Sequence, residues 1–439
     1  MVLVIAGDRS GVGKTTVALA LNAALTARGQ RVQTFKVGPD YIDPLFHTSI
    51  SGRPCRNLDA VLTSADYIRT CVGYHSQGMD AVLIEGVMGL FDGQGGSHEG
   101  STAHIAQLLQ APILLVLDVQ KQAASVAALV YGFCHYDPSL RIAGVVLNRV
   151  ASDRHRQILE AALAPLGVPI LGILYRDQTL SLPSRHLGLV PPQESVEFQH
   201  LRDRLVHLGN TCFDWERLTP LLAPAPTPSS PLFSVAPLTP VTIGIAQDAA
   251  FHFYYADTLD LLQALGATLV PVSPLRDTRL PTGLNGLILG GGFPEVFAPD
   301  LAANHSFLES LRQAMQGGLA LYAECGGLMY LSQGIQAQHY YPLVGYLPTV
   351  THMGKKLTLG YRQATALQTT VCIVAGETVQ GHEFHYSYVS ALPTTPLWQL
   401  DGQPEGWGNS RLHASYLHLH WGGHPQWAMR FLQQAAKVG

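Results

Sequence analysis

Charge is scarce in this 439-residue chain. Only 13% of residues are Asp, Glu, Lys or Arg, against 47% hydrophobic, and the formal net charge is −4. So weak a field gives no global attraction for nucleic acid or an anionic membrane, and any anionic ligand has to be met by local cations. Cysteine is sparse as well. The six, at 55, 71, 134, 212, 325 and 372, form no CxxC pair and no dense framework, which excludes a disulfide scaffold and points to a reducing, cytoplasmic setting. No apolar run approaches the roughly 20 residues that a membrane-crossing helix needs. The apolar start, Met1–Ala6, lacks the charged region and the length of a secretory leader. These absences leave a soluble, well-packed globular chain with room for about two to three domains.

The N-terminal half reads as strands alternating with helices. Residues 2–6 are a continuously apolar, β-prone run, and Gly7 through Thr16 form a glycine-rich loop ahead of an Ala- and Leu-rich helix over 17–27. Five residues separate Gly7 from Gly13, one more than the strict phosphate-loop pattern, but the physics is unchanged. The amides of Gly11, Val12 and Gly13 and a helix N-terminus can cradle phosphate oxygens, with Lys14 on the terminal phosphates, Thr15 on Mg²⁺ and Thr16 completing the motif. A second strand, 31–37, delivers Lys36, which can reach the same phosphates, although a surface lysine there would need no explanation. Asp40, Tyr41 and Asp43 follow between two prolines, a pattern that ordinary turn chemistry also produces. Strand 81–84 ends in Glu85, a candidate magnesium ligand, and Asp92 lies seven residues on, on the substrate side. Strand 142–147 ends in Asn148, which either reads an adenine ring or caps a helix. The alternation predicts a doubly wound parallel sheet with a nucleotide at its carboxyl edge.

Seven prolines between Thr219 and Pro240 mark a stiff linker. The expected division is a phosphate-loop domain over 1–195, a Pro-rich linker over 196–240 and a second α/β domain over 241–436. In that last part, strand 286–289 runs into Gly290-Gly291-Gly292, and strand 319–324 runs into Cys325-Gly326-Gly327. A cysteine on a cramped strand-to-helix turn is how a nucleophile elbow looks in sequence. The amides of Gly291, Gly292 and Gly326 supply what an oxyanion hole requires. The base is expected on a strand over 415–420, where His418 and His420 would face the same way. Residues 380–388, Gln-Gly-His-Glu-Phe-His-Tyr-Ser-Tyr, either line an interface or satisfy one another.

Taken together, Gly11 through Thr16, Val37 through Pro44, Glu85 through Gly93, Gly290 through Glu295, Glu324 through Gly327, Gly381 through Ser387 and Ala414 through His418 resemble the cobyrinic acid a,c-diamide synthase family of corrinoid biosynthesis. The resemblance spans nearly the whole chain. It implies an α/β protein with an N-terminal dethiobiotin-synthetase-like phosphate-loop domain and a C-terminal class I glutamine amidotransferase-like domain. The implied activity is a glutamine-hydrolysing ligase that uses ATP, glutamine and Mg²⁺ to amidate the a and c acetates of a tetrapyrrole. Thr15, Asp59 and Glu85 would hold the magnesium, Lys36 would assist phosphoryl transfer, and Asp40, Tyr41, Asp43 and Asp92 would meet the substrate. Cys325 would attack glutamine, with His418 as base because it follows Tyr-Leu as in related amidotransferases. Glutaminase triads usually carry a carboxylate two residues after that histidine. Here His420 stands there, so the third member is His420 or none. The same chemistry on hydrogenobyrinic acid or Ni-sirohydrochlorin is the nearest alternative. Another class of reading is a switch ATPase with an inactive amidotransferase-like module, in which Arg9 takes the place of a signature lysine. Oligomeric state is not legible, and a homodimer is compatible with the sequence.

Overall fold

Leu3–Gly7 (β1) is buried along its whole length, as a strand covered by helices on both faces must be. The computed structural model describes residues 2–177, 196–223 and 230–437, and the chain divides after Leu232 into two compact units.

In the first unit β1 is followed by α1 (Lys14–Ala27), β2 (Val32–Val37), α2 (Asp43–Ser51), β3 (Arg56–Leu58), α3 (Ala65–His75), β4 (Ala81–Glu85) and α4 (Thr102–Leu109). Then come β5 (Ile113–Asp118), α5 (Val126–His135), β6 (Ile142–Val150), α6 (Asp153–Leu163) and β7 (Ile170–Tyr175). The strands form one parallel sheet in the order β3-β2-β4-β1-β5-β6-β7. The order reverses beside β1, so the loop after β1 and the ends of β2 and β4 share the carboxyl edge where such sheets bind ligands.

The expected linker over 196–240 does not begin at 196. Val196–Thr211 (α7) and Trp215–Leu222 (α8) are helices of the first unit. Phe198, Leu201 and Leu205 recur at helical spacing and join the core around α1. Gly209 lets α7 come close: a Cβ there would lie 2.3 Å from the Ala20 carbonyl oxygen of α1. Residues 224–229 of the expected linker, and 178–195 of the expected first domain, lie outside the described residues.

The second unit contains β8 (Val241–Ala246), β9 (Phe251–Phe253), α9 (Ala256–Ala264), β10 (Ala267–Val272), β11 (Gly286–Leu289), β12 (Gly291–Gly292), α10 (Ala298–Ala303), α11 (His305–Gln316), β13 (Ala320–Glu324) and α12 (Gly326–Leu331). There follow β14 (Gly334–Gln336), β15 (Tyr340–Pro342), β16 (Thr351–Ala366), β17 (Thr378–Val389), β18 (Trp398–Leu400), β19 (Gln403–Glu405), β20 (Trp407–Asn409), β21 (Leu412–Ser415) and α13 (Pro425–Ala435). Its main sheet runs β10-β8-β11-β13-β21-β20, parallel apart from the β20–β21 pair. β13 is central and wholly buried, so its C-terminal end presents one turn at the carboxyl edge. The strand expected over 415–420 stops at Ser415. Beyond it His418 makes a lone antiparallel bridge to His382 of β17.

Candidate active site

In the first unit the phosphate loop is shaped by its glycines. Gly13 caps α1 at φ 101°, and a Cβ on it would lie 2.2 Å from Nδ2 of Asn148, so no other residue fits. Asn148 donates from Nδ2 to the Val12 carbonyl (2.8 Å) and accepts from the Arg149 amide (2.9 Å). One end of its amide thus braces the loop and the other the end of β6. Lys14 is buried and donates to the carbonyls of Met88 and, at 3.3 Å, Arg9. Burial, with Lys36 close by, lowers its basicity.

Beside the loop, Lys36 reaches Asp43 Oδ2 (2.6 Å), Glu85 Oε1 (2.9 Å) and the Gly86 carbonyl (3.1 Å). Thr15 donates to Glu85 Oε1 at 2.5 Å and lies 3.4 Å from Asp43 Oδ2. The two carboxylates share one lysine, and they respond oppositely. Burial raises Glu85's proton affinity, but Lys36, His47 and Thr15 outweigh it, so its pKa falls. Burial and the neighbouring Glu85 charge push Asp43 up to about 8 against the pull of Lys36. His47 is a member that sequence reasoning missed. It sits on α2, 1% exposed, with Nε2 2.7 Å from Glu85 Oε2. Only its position four residues after Asp43, on one helix face, could have suggested it.

The remaining predicted residues divide. Asp40 Oδ1 accepts from the amides of Ile42 (2.8 Å) and Asp43 (3.0 Å), fixing the turn into α2, and Tyr41 lies half-buried in that turn. Asp92 Oδ2 accepts from the Gly89 amide at 2.9 Å and folds its own loop back. Asp59 Oδ1 takes the amides of Val61 and Leu62, both at 2.9 Å, as a buried turn cap. The carboxylate found beside Thr15 and Glu85 is Asp43, in the place expected for Asp59. Arg9 reaches Asp8 and Asp118 at the same edge.

In the second unit Cys325 follows β13 and precedes α12 at φ 47°, ψ −98°, a conformation side-chain-bearing residues adopt only when the surroundings enforce it. Its amide donates to the Ser415 carbonyl at 2.7 Å, and its carbonyl accepts from Met329 at 3.0 Å. Of the two glycines after it, Gly327 is required by crowding and Gly326 is closely packed. A Cβ on Gly326 would lie 3.1 Å from the Gly292 amide nitrogen, and one on Gly327 2.2 Å from the Leu289 carbonyl. Gly291 is equally tight, its Cβ position lying 2.7 Å from His418 Cε1. The structure therefore gathers Cys325, Gly326, Gly291, Gly292 and His418 at one turn. Gly290 stands apart, its amide donating to the Tyr254 hydroxyl at 2.9 Å.

His418 is held by its backbone, exchanging hydrogen bonds with His382 (2.9 and 3.0 Å). Its Nδ1 lies 3.3 Å from Glu324 Oε2. Burial disfavours its charged form, but hydrogen bonds to Cys325 and Glu324 dominate and raise its pKa to about 10. His420 is differently placed. Its ring packs on Tyr255 (centroids 4.5 Å apart), and burial lowers its pKa to about 4. The expectation that His418 and His420 share a strand face fails because β21 ends at Ser415. Residues 380–388 take partners both within the segment and outside it. Arg362 donates to Glu383 Oε2 at 2.8 Å, His385 Nε2 lies 3.3 Å from Glu383 Oε1, and His385 stacks on Tyr416.

Comparison with known proteins follows the same division. Residues 3–190 match the model of the CobQ/CobB/MinD/ParA nucleotide binding domain, and residues 242–426 match the CobB/CobQ-like glutamine amidotransferase domain. A cobyrinate a,c-diamide synthase of Synechococcus sp. is 52% identical, the alignment covering 99% of this chain and 98% of that protein. One of Gloeobacter violaceus is 48% identical over 100% and 98%. A hydrogenobyrinate a,c-diamide synthase of Streptomyces coelicolor is 42% identical over 98% and 97%.

Proposed function

The chain belongs to the cobyrinate a,c-diamide synthase family, and from that premise we propose that it amidates the a and c acetate carboxylates of cobyrinate, using ATP and the amide nitrogen of glutamine. The observation that carries the glutaminase half is Cys325 on a strained elbow with His418 against it.

In the second unit Cys325 Sγ gives its proton to His418 and attacks the side-chain carbonyl carbon of glutamine. The amides of Gly292 and Gly326 take the developing oxyanion, and His418 returns the proton to the departing nitrogen as ammonia leaves. Water then cleaves the glutamyl thioester, releasing glutamate and restoring the thiol.

In the first unit the γ-phosphoryl group of ATP passes to a carboxylate oxygen of the substrate, giving ADP and an acyl phosphate. Ammonia attacks the acyl carbon and phosphate leaves. Little covalent work falls to the protein here, and charge placement does most of it. Lys14 exchanges its carbonyl partners for phosphate oxygens, and Lys36 offsets charge on the group in transit. Thr15 Oγ1, Glu85 Oε1 and Asp43 Oδ2 form an all-oxygen set that suits a magnesium ion. His47 holds the other Glu85 oxygen, while Oε1 and Asp43 Oδ2 accept from Lys36, which would have to release them to the ion. When bound, the ion would supply charge neutralisation at the β- and γ-phosphates. Asp40, Tyr41 and Asp92 shape the loops that border this edge, and the setting that suits free thiols and these cosubstrates is the cytoplasm. Among the described residues no helix is long and apolar enough to cross a membrane.

The test is Cys325→Ser. It abolishes glutamine-dependent amidation and leaves ammonia-dependent amidation of cobyrinate near the wild-type rate. A variant that still uses glutamine would overturn the assignment. Offering hydrogenobyrinate and Ni-sirohydrochlorin beside cobyrinate fixes the macrocycle.

A further inference from the structure

Two residues past the base, where a glutaminase triad would carry its carboxylate, this chain has His420, and that ring is packed away on Tyr255. A buried imidazole facing a thiol still needs one nitrogen engaged, or the wrong tautomer and ring rotation are equally available. Glu324 lies next to Cys325 in sequence, at the last position of β13, and its side chain is 9% exposed. Oε2 is 3.3 Å from His418 Nδ1. Oε1 is fixed from two directions: it accepts from the Tyr322 hydroxyl and, at 2.9 Å, from the Leu419 amide. Tyr322 stands two residues back along β13, on the same face as a strand requires. Its ring is held by a stack on His413 (4.7 Å, 24°) and an edge contact with Trp421 (4.6 Å, 75°). One carboxylate thus ties the nucleophile's strand to the segment that carries the base.

We propose that Glu324 is the positioning carboxylate of the glutaminase site, holding His418 with Nδ1–H toward itself and Nε2 toward Cys325. This rests on the glutaminase reading above. The third member has moved from the base's segment to the residue before the nucleophile, and the geometry around His418 is restored from the opposite strand. The titratable groups against His418 are Cys325 and Glu324 from the elbow and His382 from β17. Burial and His418 lower the pKa of His382 to about 3, so it adds no positive charge there at neutral pH. Glu324 is then the negative charge favouring the His418 imidazolium that forms when the thiol gives up its proton.

Glu324→Gln keeps the shape and removes the charge. The expected result is a fall in glutaminase kcat of about 10²–10⁴-fold, the range for losing a base's orienting carboxylate. The alkaline limb of the kcat/KM profile should move to lower pH, KM for glutamine should hold, and alkylation of Cys325 by iodoacetamide at pH 7 should slow by about tenfold. Ammonia-dependent amidation should stay at the wild-type rate. Tyr322→Phe, which releases one clamp on Oε1 and keeps the carboxylate, serves should Glu324→Gln fail to fold, and it should lower kcat with KM unchanged. Glutaminase kcat within about threefold of wild type in these variants, with the pH profile unmoved, would overturn the proposal and reduce Glu324 to a core residue. Wild-type protein that makes no glutamate from glutamine would instead sink the glutaminase reading itself.

Discussion

Cys325 owes its place at the elbow to a backbone conformation that its neighbours enforce, and the same crowding makes the nearby glycines sensitive. Gly291→Ala places a methyl group 2.7 Å from His418 Cε1, so the ring must move. Misplacing a catalytic group by about 1 Å costs on the order of 10² in rate, and glutaminase kcat should fall by about that factor while ammonia-dependent synthesis survives. His418 also predicts a pH effect on stability. Its pKa is raised in the fold to about 10, above the ordinary histidine value near 6.5. The folded state holds its proton more tightly, so that stabilisation is complete below about pH 6.5 and is lost as pH rises through about 10. Urea unfolding of wild type should weaken more between pH 7 and 10 than that of His418→Gln. In the other unit, His47→Ala leaves Glu85 Oε2 buried without that hydrogen bond. Stability should drop by about 1–3 kcal/mol on thermal unfolding. At this scale the cysteine elbow was legible, since strand, Cys and Gly-Gly are contiguous. Glu324 and His47 were not, because their partners lie 94 and 38 residues away in sequence, the Glu324–His418 separation following from the numbering.

Elements were read best where one physical period dominated. The buried strands and the loop-to-helix junction, expected at residue 17 and found at Lys14, follow from continuous apolar runs and a glycine-rich turn. α7 was hidden by the proline-rich stretch after it, although Phe198, Leu201 and Leu205 already carried a helical period. Its fit against α1 is testable. Gly209→Val drives side-chain atoms into the Ala20 carbonyl and the Ala24 methyl, 2.3 and 2.5 Å from the first added carbon. Overpacking of this kind costs about 1–3 kcal/mol, read as a lowered Tm. At β21 the sequence misleads in the other direction. The apolar–polar alternation of 415–420 looks like strand, but the segment turns off at Ser415 and keeps only the His382 bridge. That early exit separates His420 from His418.

At the scale of the molecule, two units with separate cores match two domain families. In the proposed reaction one liberates nitrogen from an amide and the other activates a carboxylate, so that neither alone would yield product from glutamine. The fold class of each half was open to reading because parallel α/β sheets place ligand-binding residues at strand ends, where glycine, lysine and carboxylates stand out against apolar runs. The most direct measurement is the fate of glutamine's side-chain nitrogen. Wild-type protein is incubated with cobyrinate, MgATP and glutamine labelled with heavy nitrogen at the amide, and the product is resolved by mass spectrometry. The proposal predicts a diamide with two labelled nitrogens, at the a and c positions, and one ADP per amide formed. Unlabelled product, or glutamate released with no change in the macrocycle, would contradict it.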